Sequence, residues 1–409
     1  MRPSRTPQSA RLNILPSSTP SPLYSRLLGL LVVVSLILGV VKSLEISISY
    51  KEALLYFSTP SFWLDALLLG ALRDFVGVVG KFLPHDLTLR LPSLLLHALN
   101  LILLYRLSLK LQPKKPYDPL LSVFTFALLP GVQLGAILLG KVSLLFTLAL
   151  SSMLLFHTRI FYALIPLLAL FDPSCVVLLS AFFLYALKHK HRLKAGLLGV
   201  ALGFNVLYFK PVSGMPQGFF LQTLFVMFVL YSPCLCLYYP YALYAQVIKA
   251  RQQDSLVGMV GAVGFCLPLL LSLRQEINPQ FLAYGVLGIP VLLKHALSSI
   301  RVHLPLFRTH YRIRYSLVFG TLLLESLYLW GGYNPFVRTH YIAKELASEL
   351  QARGVYAVHT FAPKMALRLR FYGIQEGGNT FLIESNKPGD INITYSHKIA
   401  ASYNLIFKP

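Results

Sequence analysis

The chain has 409 residues, a formal net charge of +22 and a mean hydropathy of +0.63. Hydrophobic residues make up 56% of it and charged residues only 13%, whereas about a quarter of the residues in a soluble domain are charged. This composition excludes a soluble globular protein and predicts an integral membrane protein. The excess of positive charge is explained by topology and by attraction to anionic phospholipids, so no nucleic-acid partner is expected.

Basic residues recur in clusters that alternate with apolar runs. The clusters are Arg2/Arg5/Arg11/Arg26, Lys110/Lys114/Lys115, Arg159, Lys188/Lys190/Arg192/Lys194, Lys249/Arg251 and Arg301/Arg308/Arg312/Arg314. Short cytoplasmic loops carry an excess of Lys and Arg, so the segments between the clusters are predicted to cross the membrane in pairs. We therefore expect a multi-pass protein of the inner (plasma) membrane with a cytoplasmic N-terminus and an extracytoplasmic C-terminus.

Three regions follow from this pattern: a basic cytoplasmic segment (1–26), a transmembrane domain (27–330) and a small domain (331–409). Eleven apolar runs predict the spans: Leu27–Leu44, Leu91–Leu107, Pro119–Leu139, Val142–Phe156, Ile160–Phe171, Cys175–Leu187, Ala195–Phe209, Gly218–Ile248, Leu256–Leu273, Pro279–Leu297 and Tyr315–Trp330. The runs between residues 142 and 187 are shorter than the roughly 20 residues that a crossing needs. A re-entrant arrangement of two of them, joined at Phe171–Ser174, stays open.

Two segments differ from simple loops. The connection 45–90 carries apolar residues at helical spacing over Phe62–Phe75, which predicts an amphipathic helix on the outer membrane surface. Residues 331–409 are polar enough to fold in water, and their pattern of one helix and several strands predicts a small extracytoplasmic α/β domain. No internal repeat is evident, and no pair of interrupted apolar helices is expected at matching positions in two halves of the chain.

Ionisable groups near the ends of the spans are the candidate site residues. Glu52, just after the first run, is placed to remove a proton from an acceptor, although a solvated glutamate paired with Lys51 is the simpler interpretation. Arg274, after the ninth run, suits a lipid phosphate, although an ordinary interfacial arginine is equally compatible with the sequence. Asp172 and two lysines are also predicted at the outer face, where they can line one cavity. Those lysines are Lys141 and Lys210.

Other polar residues carry weaker signals. Glu325 lies deep in the last span, where an acid is costly unless it is paired, so it should face the bundle interior. His97 and Asn100 are interpreted as helix-packing groups, and the four cysteines as small core residues. There is no Walker loop, dinucleotide fingerprint, zinc motif or nucleophile elbow, so no cofactor is expected, and dependence on a metal ion stays open.

Several short motifs resemble a known family. The acid after the first span, Leu89–Leu95 with its Arg-Leu-Pro-Ser step, Leu198–Gly203 and Leu273–Pro290 are similar to segments of the GT-C membrane glycosyltransferases. The more specific features are the Arg-Leu-Pro-Ser step and the order of a basic residue, Pro, Tyr and Pro across Arg274, Pro279, Tyr284 and Pro290. The end of the chain, with Glu345–Arg353 and Phe371–Gly373, resembles the periplasmic tail of the family 39 group, which includes protein O-mannosyltransferases and lipid A aminoarabinose transferases.

This resemblance implies an all-α transmembrane domain of GT-C type. It implies transfer of a sugar from a polyprenyl-phosphate carrier to a lipid, glycan or protein acceptor on the extracytoplasmic face, usually with inversion. Glu52 would then be the general base, and Arg274, with Lys210 and Lys141, would hold the donor phosphate. Lys51 and Lys141 stand where the family often has acids. These departures leave open another acceptor, a base at Asp172, or a member without activity.

Two other functions remain as alternatives. A membrane transporter or lipid flippase would need polar sites near the middle of the membrane and usually two related halves. A non-catalytic membrane scaffold would explain the missing acids.

Overall fold

The computed structural model describes residues 22–60, 62–111, 113, 115–210, 218–244, 255–294, 308–331, 339–385, 387–395 and 398–407. The predicted basic residues before Pro22 lie outside these ranges, as do Lys114, Lys249, Arg251 and Arg301. Within them the chain is mostly helical and ends in a four-stranded sheet, which agrees with the predicted fold class.

The helices, numbered along the chain, are α1 (Pro22–Glu45), α2 (Tyr50–Phe57), α3 (Trp63–Val79), α4 (His85–Lys110), α5 (Asp118–Leu128), α6 (Pro130–Ile137), α7 (Val142–Leu155), α8 (Ile160–Phe171), α9 (Cys175–Lys188), α10 (Arg192–Phe209), α11 (Phe220–Tyr231), α12 (Pro233–Tyr244), α13 (Leu256–Leu271), α14 (Pro279–Val286), α15 (Ile289–Leu292), α16 (Arg308–Trp330), α17 (Thr339–Ala352) and α18 (Pro363–Phe371). The strands are β1 (Ala357–Thr360), β2 (Gln375–Ser385), β3 (Ile391–Tyr395) and β4 (Lys398–Phe407). The helix predicted over Phe62–Phe75 is present as α3.

Several helices are long and apolar enough to cross a membrane. In the described residues, α1, α4 and α10 meet this condition, and up to five segments do so if each of two bent helix pairs is one span. Helices α7, α8, α9 and α13 are apolar but shorter than the roughly 20 residues of a full crossing. The fold is therefore compatible with a helical multi-pass membrane protein, whereas the predicted count of eleven spans is not confirmed.

Two predicted spans are interrupted, which the apolar runs in the sequence did not indicate. Helices α5 and α6 meet at an angle of 65°, and α11 and α12 at 102°. The second segment of each pair begins with a proline, Pro130 or Pro233, which has no N–H to continue the preceding helix. Ser232, between α11 and α12, has a φ of 67°, a left-handed conformation that turns the chain sharply.

The tenth predicted span, Pro279–Leu297, is also divided, because α14 ends at Val286 and α15 covers only four residues. Its first half packs closely on α13. A Cβ atom added to Gly264 would lie 2.5 Å from the backbone nitrogen of Gly285, so this crossing needs glycine.

The C-terminal domain has the predicted α/β composition. The sheet order is β1-β2-β4-β3; β1 and β2 are parallel and are connected through α18, and the other pairs are antiparallel. Helix α17 packs on the sheet through Leu346 and Leu350, which are fully buried with Val358 of β1. Gly354, with a φ of +72°, ends this helix as the sequence predicts.

The helical bundle has two distinct ends. The first, named here the domain end, contacts the C-terminal domain, because Arg368 of α18 donates to the carbonyl of Ile48 after α1. At the opposite end, named the basic end, Lys110 donates to the carbonyl of Leu154 and Lys194 to that of Phe156. Lys110 and Lys194 thus lie at the end of the bundle away from the C-terminal domain.

Candidate functional site

The chain between α1 and α2 wraps around the guanidinium of Arg90, near the start of α4. Arg90 is completely buried and donates to the carbonyl oxygens of Ser43, Ile46 and Ser47 at 2.6–3.1 Å. Its other bonds reach both carboxylate oxygens of Glu52, at 3.2 and 3.3 Å. A buried guanidinium is unfavourable without partners. Because all of these oxygens accept hydrogen bonds and Glu52 also supplies a negative charge, the guanidinium of Arg90 is stabilised here.

Glu52 fits this arrangement through a capping box at the start of α2. The Ser49 hydroxyl accepts from the Glu52 N–H, and the Glu52 carboxylate accepts from the Ser49 N–H at 2.7 Å. A third N–H, that of Leu139, donates to the same carboxylate at 2.8 Å. The partner of Glu52 is therefore Arg90, and not Lys51 as the simpler sequence interpretation had it.

Burial by itself acts to raise the pKa of Glu52. The charge and hydrogen bonds of Arg90, together with the N–H groups of Leu139 and Ser49, outweigh that effect and hold the pKa below its ordinary value. Glu52 is thus ionised, but it is only 2% exposed and its oxygens already accept several hydrogen bonds. In this geometry the carboxylate of Glu52 organises the chain between α1 and α2, named here the first loop. Its predicted role as a general base stays a prediction.

A second charged cluster joins α3 to the turn between α8 and α9. The ammonium of Lys141 lies 2.7 Å from Asp65 of α3 and 3.2 Å from Asp172. Asp172 is buried and also accepts from the N–H and hydroxyl of Ser174, at 2.9 and 2.6 Å. Lys141 and Asp172, which the sequence placed at one face, are therefore in direct contact, while Asp65 was not anticipated as their partner.

The end of α10 and the start of α14 complete this region. Asn205 of α10 donates to the backbone carbonyl of Asp172 at 3.2 Å. From α14, the Tyr284 hydroxyl lies 3.3 Å from that of Ser174, and it donates to the sulfur of Cys175. These contacts place the α8–α9 turn in a polar pocket of otherwise apolar helices.

An apolar cavity of about 370 Å³ opens beside these clusters, between α6, α7, α11 and α14. One wall contains Leu138, Leu139, Gly140 and Val142 of the segment 138–142, and Lys51 of α2 is the charged residue in the lining. The same segment supplies the Leu139 N–H that binds Glu52, and it carries Lys141. The structure thus brings Glu52, Lys141 and Asp172 together around one short segment that also borders a cavity.

Two other predicted residues lie at the domain end but outside this arrangement. Lys210 follows α10 in a left-handed conformation, with a φ of 47°, and is exposed. Arg274 is exposed in the loop between α13 and α14. Neither residue is among the described hydrogen-bond or ion-pair partners of Lys141 and Asp172.

The C-terminal domain covers the first loop at the same end. Arg368 donates to the Ile48 carbonyl at 2.8 Å and to the Ser47 hydroxyl at 3.2 Å. Burial lowers the pKa of Arg368 and raises that of Tyr372.

The sequence did not indicate three residues of this region, Arg90, Asp65 and Arg368. The only signal for Arg90 was its position in the Arg-Leu-Pro-Ser step.

In the part of the chain that the structure describes, no group of three or more His, Cys, Asp or Glu side chains is arranged to hold a metal ion. Comparison of the chain with protein-family models, with curated proteins and with solved structures finds no match. The site therefore has to be interpreted from its own geometry.

Proposed function

We propose that the chain is a membrane glycosyltransferase that moves a sugar from a polyprenyl-phosphate donor to an acceptor at the outer face of the membrane. The observation that best supports this is the apolar cavity at the domain end, which has Lys51 in its lining and the Lys141 cluster next to its wall. An apolar cavity beside a lysine suits a lipid whose phosphate is held by the cation.

The local charges favour Lys51, rather than Lys141, as the residue that binds the donor phosphate. Lys141 is held between two carboxylates, so its cluster carries a net negative charge and repels a phosphate. The described ion pairs do not include Lys51. Arg274 and Lys210, exposed at the same end, remain proposed as further phosphate contacts.

The negative charge of the cluster of Lys141, Asp65 and Asp172 suits binding and deprotonation of the molecule that receives the sugar. Asp65 has a side chain that is 22% exposed, against 2% for Asp172 and Glu52, so it is the carboxylate that an acceptor reaches most easily. We therefore assign the role of general base to Asp65. It takes the proton of the acceptor as the acceptor oxygen or nitrogen bonds to the sugar carbon, and the bond from that carbon to the phosphate breaks to release polyprenyl phosphate.

Polyprenyl phosphate binding to the protein in lipid nanodiscs tests the donor site. Loss of a charged hydrogen bond costs about 1.5–3 kcal/mol, so Lys51→Ala should bind roughly ten- to a hundredfold more weakly. Lys81→Ala, which removes an exposed lysine after α3, is the matched control and should bind like the wild type. Equal binding by Lys51→Ala and the wild type would exclude this donor site.

The orientation in the membrane is part of the same proposal, with the domain end outside and the basic end in the cytoplasm. Ser385→Cys in a cysteine-free background tests it, because Ser385 ends β2 and is partly exposed. An impermeant thiol reagent should label this cysteine in intact cells. Protection of this cysteine from the reagent would show that the orientation is the reverse of the one proposed, with the candidate site at the cytoplasmic face.

One observation favours the alternative of a transporter or lipid flippase. The interrupted pairs α5–α6 and α11–α12 both contact α16, whose Glu325 lies beside Ser232 at one of the breaks. Among the described residues, one carboxylate oxygen of Glu325 is buried without a hydrogen-bond partner. Discontinuous helices with a polar group at the break are typical of transporter sites.

Exchange of a fluorescent polyprenyl phosphate between vesicle leaflets separates the two functions. A flippase should speed this exchange, and Glu325→Gln should slow it. A glycosyltransferase should leave the exchange at the rate of protein-free vesicles.

A further inference from the structure

An apolar groove of about 350 Å³ runs between α8 and α10. Its lining extends from Tyr162 to Leu170 along α8, about 12 Å at 1.5 Å per residue, and from Leu197 to Phe204 along α10. Val200 and Phe204 are 73% and 47% exposed, so the groove opens to the outside of the bundle. Because α10 is one of the described helices that can cross a membrane, the groove faces lipid in the bilayer.

Basic side chains lie at one end of this groove, where both helices begin. The ammonium of Lys194 in α10 lies 5.8 Å from the ring centre of Tyr162, the first groove residue of α8. It donates to the Phe156 carbonyl at 2.5 Å, a bond that uses one of its three N–H groups. The turns before α8 and α10 carry further basic residues, which are exposed and which, with Lys194, are named here the basic patch: His157, Arg159, His189, Lys190, His191 and Arg192.

The basic patch is not neutralised by acidic residues of the same part of the chain. From residue 119 to 253 the sequence contains one acid, Asp172, which pairs with Lys141 at the domain end. The ion pairs that the structure describes include no member of the patch. Burial and four nearby basic side chains lower the pKa of His157; they are Lys194, His191, Lys110 and His189. A ligand with a negative charge is therefore favoured at this end of the groove.

The starts of the two helices add to this preference. Arg159 and His191 occupy the N-cap positions of α8 and α10, and neither start is capped by a side-chain hydrogen bond. The N–H groups of a first helical turn, together with the helix dipole, favour an anion such as a phosphate. Both helices run from the basic end into the bundle, so these two starts lie side by side at the charged end of the groove.

We propose that this groove binds an anionic phospholipid, with its phosphate at the basic patch and an acyl chain between α8 and α10. A zwitterionic phospholipid fits less well, because its own cation offsets the phosphate and is repelled by the patch. This is a defined site, in addition to the general attraction that the net charge predicts. It is independent of the proposed transfer reaction, since it shares no lining residue with the cavity at the domain end.

The experiment uses the full chain in phosphatidylcholine nanodiscs that contain a small fraction of a photoactivatable phospholipid. Two probes carry a diazirine at the same position of the acyl chain, one with a phosphatidylglycerol and one with a phosphatidylcholine headgroup. Labelled peptides are identified by mass spectrometry. One basic side chain near an anionic headgroup contributes about fivefold in binding, so phosphatidylglycerol should label α8 and α10 at least about fivefold more than phosphatidylcholine.

Arg159→Gln and Arg192→Gln, at exposed positions of the basic patch, should each lower this preference by up to about fivefold. Arg312→Gln is the matched control, because it removes the same charge from an exposed position of α16, which does not line the groove. This variant should keep the wild-type preference.

Three results would overturn the proposal. The first is equal labelling of α8 and α10 by the two probes in the wild type, which decides the question even if a variant does not fold. The second is a preference for phosphatidylglycerol that is the same on every lipid-facing helix. The third is displacement of the probe by polyprenyl phosphate more strongly than by unlabelled phosphatidylglycerol, because the groove would then hold the donor lipid.

Discussion

The phenol of Tyr372 in the C-terminal domain donates a hydrogen bond of 2.6 Å to Asp86 in the first turn of α4. The same phenol oxygen accepts from the N–H of Ile48, at 2.9 Å. Lys344 of α17 adds an ion pair with Asp86 at 3.1 Å. The first loop is therefore held between the bundle and the domain by direct polar contacts.

Tyr372→Phe should loosen this attachment. The change leaves Asp86, which is 2% exposed, with fewer donors, and such a loss costs about 1–3 kcal/mol. Hydrogen–deuterium exchange at residues 46–49 should become faster. Tyr356→Phe, at an exposed tyrosine of the same domain, is the control, and equal exchange in both variants would show that the Tyr372 hydroxyl contributes nothing to docking.

Glu52→Gln should destabilise the protein, whatever its effect on catalysis. The change removes the charge that compensates the buried Arg90, and breaking a buried ion pair costs about 3–5 kcal/mol. Chemical denaturation should show a loss near the lower value, because the amide keeps some hydrogen bonds. Glu349→Gln, at an exposed position of α17, should be neutral; an unchanged midpoint for Glu52→Gln would contradict the structural role.

Stability should depend on pH through the same carboxylate. The folded-state pKa of Glu52 lies below the ordinary value of 4.5, so the unfolded chain binds the proton more readily. The contribution is complete above about pH 4.5 and is lost as the pH falls through the lower, folded-state pKa. Unfolding midpoints measured from neutral pH downward should fall more steeply for the wild type than for Glu52→Gln. Parallel curves would refute this linkage.

Asp65→Asn should weaken the attachment of α3 to the bundle. Lys141 would keep Asp172 as a partner but lose its bond to α3, and a partly exposed pair of this kind contributes about 0.2–1 kcal/mol. Amide exchange along α3 should therefore rise up to about fivefold. Asp74→Asn, at an exposed position of the same helix, should leave it unchanged. The same rise in both variants would mean that the pair does not anchor α3.

Gly264→Ala and Gly203→Ala should have opposite effects on stability. The added methyl at Gly264 meets the backbone of Gly285 at 2.5 Å, and such overpacking costs about 1–3 kcal/mol. Nothing lies within 4 Å of a Cβ at Gly203, so alanine there should stabilise α10 by roughly 0.5–1 kcal/mol. Thermal unfolding of the two variants tests the helix crossing, and a stabilised Gly264→Ala protein would contradict it.

The sequence predicted most helices because their limits follow local patterns. Apolar runs end where charged or turn-forming residues begin, and Gly354 marks the end of α17 in both the sequence and the structure. The interruptions were harder to foresee. Pro92 and Pro166 lie inside intact helices, whereas Pro130 and Pro233 begin new ones, so a proline alone does not decide where a helix breaks.

The partners of the candidate residues could not be predicted, because they are distant in the chain. Arg90 is 38 residues from Glu52, and Lys141 is 76 residues from Asp65. Nothing in the neighbourhood of either residue specifies such a pairing. The nearest lysine, Lys51, was the more natural partner for Glu52 in the sequence, and only the tertiary fold shows that it lines a cavity instead.

Arg368 contacts Ile48 across 320 residues of chain, and this separation has a consequence for how the protein is made. At about 5–20 residues per second, the ribosome adds Arg368 roughly 16–64 s after it has added Ile48. During that interval Arg90 and Glu52 can already pair, but the Ile48 carbonyl and N–H have no partner from the C-terminal domain. The first loop therefore acquires its final structure only as translation finishes, and a chain that stops before α18 lacks the outer cover of its candidate site.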